Sequence, residues 1–173
     1  MATDALPEAT PGLIAALRAI NRRRRLDGAR GSTESATLAD DLEPAIRRQI
    51  EGAHCRLAVY GTLAPGKANH HLVEPLRGSW RRGEVRGSLH PHGWGATLGF
   101  PALVWDPAAD PIGVDLLESP ALASAWPELD AFEGEAYLRI LVPVASPRHS
   151  VEPTEVAAIR VANLYASRAG PVD

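Results

Sequence analysis

The stretch Leu129-Asp130-Ala131-Phe132-Glu133-Gly134-Glu135-Ala136-Tyr137-Leu138-Arg139 decides how this chain is read. Glycine commonly follows the last turn of a helix, and here an apolar run, Ile140 to Val144, comes directly after. The stretch therefore predicts a helix that stops at Glu133-Gly134 and a β-strand that begins a few residues later. Three acids, Asp130, Glu133 and Glu135, crowd this junction, and Phe132 and Tyr137 flank the middle one. By composition alone the acids fit a solvated helix end. The two aromatics can desolvate Glu133, and removing a carboxyl from water raises its pKa towards the range useful for proton transfer.

Upstream, Ser119-Pro120 opens the helix that carries Leu122, Trp126, Leu129 and Phe132, with Pro127 as a point of interruption. Before it come short apolar runs bounded by turn residues: Leu57 to Tyr60, Ala102 to Trp105, and Ile112 to Glu118. Ser79 to Leu89 alternates around Glu84-Val85-Arg86 and contains Gly83 and Gly87, which mark bends or close backbone approach inside a strand. Ala64 to Lys67 reads as a turn, Asn69 to Leu76 as a short helix, and Pro91 to Gly99 as a loop around Trp94. Leu138 to Val144 and Val156 to Val161 complete the strands, and the tail from Asn163 reads as irregular. Short strands, glycine bends and one late helix predict an α+β domain with few helices, its mixed or antiparallel sheet curled into a small barrel.

Residues 1–55 read as an N-terminal helical extension, 56–165 as the main domain and 166–173 as a tail. Thr10 is placed to cap a helix starting at Pro11, with Leu13, Ile14, Leu17 and Ile20 on one face. A second helix spans about Ser35 to Ala53, with Leu38, Leu42, Ile46 and Ile50 four apart and Pro44 as a start or kink. Both stripes need a surface to bury. The domain itself can supply it, or a second copy can, which leaves a homo-oligomer through the N-terminal helices open. The run Arg22 to Arg25 fits a solvated helix C-terminus, where cations complement the dipole, better than an anion patch.

The chain has 173 residues, 45% of them hydrophobic, and a formal net charge of −3. One domain with a real core is expected, and neither nucleic acid nor an anionic membrane surface is indicated as a partner. No apolar run reaches transmembrane length, and Asp4, Pro7 and Glu8 stand where a signal peptide needs a basic start and apolar run. Cys55 is the single cysteine, so no internal disulfide forms. A soluble cytoplasmic protein is expected.

There is no glycine-rich phosphate loop, no dinucleotide fingerprint and no Gly-x-Ser-x-Gly elbow. His90 and His92 lack a third ligand, so no metal is expected. Cys55 beside His54 reads as a thiol buried at the mouth of a strand rather than a nucleophile. In Tyr60-Gly61-Thr62-Leu63 the chain leaves a buried strand at a glycine, and Pro65-Gly66 follows. An ordinary turn has this form, and so does a loop whose N–H groups cradle a carboxylate or an oxyanion.

Taken together, Tyr60-Gly61-Thr62-Leu63 after a short apolar strand, and the pattern Leu-Asp-x-x-Glu-Gly-x-x-Tyr-x-Arg from Leu129, resemble the γ-glutamylcyclotransferase-like (AIG2-like) family. Gly83 to Leu89 and Phe100 to Val104 are similar to its middle strands, so the resemblance covers about residues 56–161. It implies a small barrel with a cavity. It further implies an enzyme of the amide-cleaving C–N lyase type, transferring an acyl group to an internal amine. A γ-glutamyl amine or amino acid is cyclised to 5-oxoproline with release of the amine, without a cofactor. Glu133 matches the family's catalytic acid, Tyr60, Gly61, Thr62 and Leu63 its substrate loop, and Tyr137 a tyrosine near the pocket. Asp115 stands where the family more often has glutamate, and the loop His90 to Trp94 is this chain's own. A non-catalytic module that binds a small metabolite on the same fold is the alternative.

Overall fold

A computed structural model describes residues 9–27, 42–90, 101–146 and 159–168. Six strands form: β1 (Arg56–Val59), β2 (Ser79–His90), β3 (Ala102–Trp105), β4 (Pro111–Glu118), β5 (Tyr137–Ala145) and β6 (Ile159–Ser167). Strand β2 pairs antiparallel with β4, β4 antiparallel with β1, β1 parallel with β6, and β6 antiparallel with β5. Strand β5 then meets β2 again at Glu84↔Ala145. Five strands therefore close into a mixed barrel, and β3 pairs with the far end of β2, from Gly87↔Trp105 to His90↔Ala102. Closure leaves few unpaired strand edges and encloses the apolar side chains. Gly87 permits the β2–β3 contact, since a Cβ there would lie 2.6 Å from the Val104 carbonyl oxygen.

Three helices complete the described residues: α1 (Pro11–Asp27), α2 (Pro44–Ile50) and α3 (Leu122–Glu133). Thr10 Oγ1 accepts the Leu13 N–H at 3.3 Å, the cap expected from the sequence. Leu13, Leu17 and Ile20 of α1 are buried in the same core as Val85, Leu138, Ile140 and Val142 of the barrel. The α1 stripe is thus covered by the chain's own sheet rather than by a second copy. Asn21, fully buried, fixes the docking: its side-chain amide donates to the Leu141 carbonyl at 2.8 Å and accepts the Leu141 N–H at 2.7 Å. It serves β5 as a neighbouring strand would. The other face of the sheet carries a second core, in which Leu57, Val59 and Leu117 pack against Leu122, Trp126 and Leu129 of α3.

Several local expectations are corrected. Pro44 occupies the start of α2, where its missing N–H costs nothing, and residues 35–41 lie outside the described part. Asn69 to Leu76 forms two 3-10 turns, His70–Leu72 and Glu74–Leu76, rather than one helix. Pro127 does not interrupt α3. Trp126 and Leu129 pin the helix on both sides of it, and Trp126 Nε1 donates to the His54 carbonyl at 2.9 Å. The chain from Asn163 is not irregular: β6 continues to Ser167, because Leu164, Tyr165 and Ala166 are buried and pair along β5. Arg24 is not a solvated cation either; it points inward and bonds Asn163. The loop Pro91 to Gly99 lies outside the described residues.

Asn21→Ala leaves two buried backbone groups of Leu141 without partners. It should lower the unfolding free energy in urea by about 2–4 kcal/mol. A loss under about 0.5 kcal/mol, the size of an ordinary surface substitution, would mean that α1 is held by its apolar stripe alone.

Candidate active site

Helix α3 ends because Gly134 takes φ 71° and ψ −168°, a conformation essentially reserved for glycine, while its N–H still bonds the Asp130 carbonyl at 3.1 Å. The chain turns sharply there and enters β5 at Tyr137, leaving Glu133 as the last helical residue. Across from it, β1 ends at Val59 and the chain runs out through Tyr60 to Leu63. A cavity of about 760 Å³ lies between these two segments. Tyr60, Gly61, Thr62 and Leu63 line it from one side, Phe132 to Tyr137 from the other, with Asn69, Pro101 and Tyr165 adding to the wall. All six residues singled out in the sequence, Glu133, Tyr60, Gly61, Thr62, Leu63 and Tyr137, therefore meet around one space.

The loop is built so that its acceptors are used and its donors are not. The Gly61 carbonyl takes the Ala64 N–H at 3.2 Å, the Thr62 carbonyl the Asn69 N–H at 3.0 Å, and the Leu63 carbonyl lies 3.0 Å from His70 Nδ1. Asn69 Nδ2 donates to Thr62 Oγ1 at 2.9 Å. Among the described residues, no acceptor takes the N–H of Gly61, Thr62 or Leu63. Such clustered donors attract a carboxylate or a developing oxyanion. Among the described residues, no Lys, Arg or His lines the cavity, and these N–H groups are natural partners for negative charge in it.

Glu133 is pushed up to about 7, first by burial and then by the negative charge of Asp130. Burial, and then Glu133, also raises Tyr137. The Tyr60 phenol is raised chiefly by burial and is fully engaged. It donates to the Tyr165 carbonyl at 2.9 Å and accepts the Leu103 N–H at 3.1 Å, bracing β1 against β6 and β3.

Asp130, expected to be solvated, is instead the anchor of the site. Arg139 grips it with two nitrogens, Nε at 2.8 Å and Nη2 at 3.1 Å, and the Tyr165 hydroxyl donates to it at 2.7 Å. Arg139 and Tyr165 are register partners on β5 and β6, so they present their side chains on one face. The Arg139 guanidinium also lies 4.4 Å from the Trp126 ring centroid. Asp130 and Arg139 stand nine residues apart across a helix–strand junction, a spacing that matches neither a helical nor a strand period, so the sequence carries no periodic signal for their pairing. Glu135 is exposed at the cavity's edge, as expected of a solvated acid. Asp115 pairs with Arg82 at 3.1 Å across β2 and β4, away from the cavity.

Cys55 is half-buried in a 3-10 turn just before β1. His90 Nε2 lies 2.8 Å from Ser88 Oγ, and His92 falls outside the described residues. Among the described residues, no group of three or more His, Cys, Asp or Glu side chains could hold a metal ion, and no helix is long and apolar enough to cross a membrane.

Burial of Glu133 has a stability signature. Its pKa in the fold, about 7, exceeds its ordinary 4.5, so the folded chain holds a proton that the unfolded chain releases. Stability is full below the lower value and falls as pH rises through the higher one. Glu133→Gln cannot titrate, so its melting temperature relative to the wild type should climb between about pH 4 and about pH 8. A difference that stays flat with pH would mean that Glu133 is as well solvated folded as unfolded.

A family model described as gamma-glutamyl cyclotransferase, AIG2-like, matches residues 57–168. No curated protein matches the chain. Among solved structures, YkqA from Bacillus subtilis is 25% identical with a TM-score of 0.46, covering 65% of this chain and 35% of its own. This chain thus spans about a third of the length of that protein. An AIG2-like protein from Mus musculus is 22% identical with a TM-score of 0.46, covering 65% of this chain and 76% of its own. An uncharacterized protein from Pyrococcus horikoshii is 19% identical with a TM-score of 0.44, covering 67% and 80%. The matched segment takes in all six strands but for Arg56, the first residue of β1, together with the Tyr60 loop and the Glu133 junction, and this chain belongs to the AIG2-like gamma-glutamyl cyclotransferase family.

Proposed function

We propose that this protein cyclises a γ-glutamyl amine or γ-glutamyl amino acid to 5-oxoproline, with Glu133 as general base and then general acid. The observation that carries this reading is a single cavity lined both by a half-buried carboxyl pushed up to about 7 and by a loop whose N–H groups have no acceptor among the described residues. The two halves of the site match the two demands of the reaction.

The substrate's neutral α-amine attacks its own γ-carbonyl carbon. As the ring C–N bond forms, one amine proton passes to the Glu133 carboxylate. The carbonyl oxygen gains negative charge, which the N–H groups of Gly61 to Leu63 stabilise. The tetrahedral centre then collapses, the original amide C–N bond breaks, and Glu133 returns the proton to the departing nitrogen. The products are 5-oxoproline and a free amine. No water enters the balance, and one carboxyl carries the proton both ways. A pKa near 7 suits a group that must accept and donate at neutral pH. Tyr137 and the exposed Phe132 line the cavity beside Glu133, and the cavity holds the flexible glutamyl chain folded for ring closure, which supplies the proximity contribution.

Incubation of the full chain with a panel of γ-glutamyl compounds should release 5-oxoproline. The rate should rise with pH through about 7, as Glu133 loses its proton. Glu133→Gln should lower turnover by at least about 100-fold, the usual scale of general acid–base catalysis, while leaving the fold intact by circular dichroism. Undiminished release in that variant would remove Glu133 from the chemistry. Saturable binding across the panel without any release would favour a metabolite-binding module instead.

A further inference from the structure

Helix α1 precedes the segment matched to the family, residues 57–168, yet it reaches the site from behind. Asn21 clamps it to Leu141 of β5. One turn further on, Arg24 Nη1 donates to Asn163 Oδ1 at 2.9 Å and to the Arg139 carbonyl at 3.3 Å. The same Asn163 oxygen accepts from Arg139 Nη1 at 3.4 Å. Arg139 in turn holds Asp130 with its other nitrogens.

Two guanidinium groups therefore converge on one neutral oxygen, with Asp130 as the carboxylate they share. Like charges this close, shielded from water, repel strongly unless more negative charge lies near. Burial and then Arg139 lower Arg24 to about 10, opposed by Asp130 and Tyr165, so it is still a cation at neutral pH. Arg139 alone already balances Asp130. With Glu133 protonated, two cations face one anion; with Glu133 ionised, two face two. Asp130 acts both on Arg24 and on Glu133, so the positive charge brought by α1 bears on Glu133 through the carboxylate that lies between them.

We propose that Arg24 is a positioning residue of the Glu133 site: it fixes Asn163 and Arg139 from behind and supplies the buried positive charge that lets Asp130 and Glu133 be ionised together. The proposal rests on Glu133 being the acid/base of this cavity. The titratable groups around Glu133 are Asp130 on its own helix, Glu135 in the following turn, Tyr60 on the loop after β1, and Tyr137 and Tyr165 on β5 and β6. Those around Arg24 are Arg139, Asp130 and Tyr165.

The test is a carboxyl-carbon NMR titration of the full chain labelled at glutamate, with the Glu133 signal assigned by its loss in Glu133→Gln. Arg24→Gln should raise the Glu133 midpoint by about half a pH unit or more. Arg22→Gln removes the same charge from an exposed position on the same helix and should leave the midpoint in place. Arg24→Lys, which keeps the charge, should stay close to the wild type. The acid limb of the rate profile should move upwards with the midpoint in Arg24→Gln, while the rate on the alkaline plateau is retained. The titration needs no turnover, so absence of 5-oxoproline release in the wild type counts against the chemistry assigned to Glu133 and not against Arg24. Equal shifts in Arg24→Gln and Arg22→Gln, or a rate lost equally at every pH, would overturn the proposal. If Arg24→Gln does not fold, Arg24→Met keeps the aliphatic stem and takes its place. Failure of both to fold would assign Arg24 to holding the structure together, and would likewise overturn it.

Discussion

The pairing of Asp130 with Arg139 sets the position of everything else in the site. It ties the last turn of α3 to the first residues of β5, and the Tyr165 hydroxyl from β6 completes the carboxylate's shell. The side chains are 9% exposed for Arg139 and 22% for Asp130, so removing one partner would strand a charge largely out of water. Breaking such a pair typically costs about 3–5 kcal/mol. Glu133 sits less than one turn beyond Asp130, on a helix whose end is therefore fixed, and Gly134 turns the chain away immediately. The same negative charge that anchors the helix raises the pKa of Glu133. One ion pair thus gives the site both its geometry and part of its electrostatics.

The barrel supplies the opposing wall. Because β1 lies between β4 and β6, its C-terminal exit is held next to the start of β5 and the end of β6. Tyr60 then locks the exit in place by bonding both the Tyr165 carbonyl and the Leu103 N–H. With the carbonyls of Gly61, Thr62 and Leu63 each already partnered, the backbone groups the loop has left over are its N–H donors. The N-terminal helix belongs to this same structure, since Leu13, Leu17 and Ile20 share the barrel's core and Asn21 completes the hydrogen bonding of Leu141.

Much of this was legible in the sequence. Strands β1, β3 and β4 are apolar runs bounded by glycine, proline or aspartate, and α1 is announced by Thr10-Pro11 and a regular stripe. Glu133 and the Tyr60 loop stand out as a pair of motifs rather than as isolated residues. What was not legible depends on register. Strand β6 hid because Asn163 interrupts its apolar pattern, although that side chain is buried and donates to the Ala53 carbonyl at 2.7 Å. Asp130 looked solvated because its partners come from two strands whose side chains become neighbours only through the Arg139↔Tyr165 pairing. Arg24 reads as one of four surface cations because nothing in the sequence shows that Asn163, its partner, lies in a buried strand.

In the proposed reaction, Glu133 and the Gly61–Leu63 backbone act on one bound γ-glutamyl group from opposite sides. A crystal structure of the Glu133→Gln variant with an intact γ-glutamyl compound tests it most directly. The γ-carbonyl oxygen should lie within hydrogen-bond distance of N–H groups from Gly61 to Leu63, and the α-amine next to the side chain at position 133. A compound bound outside this cavity, or bound within it with the carbonyl turned away from the loop, would contradict it.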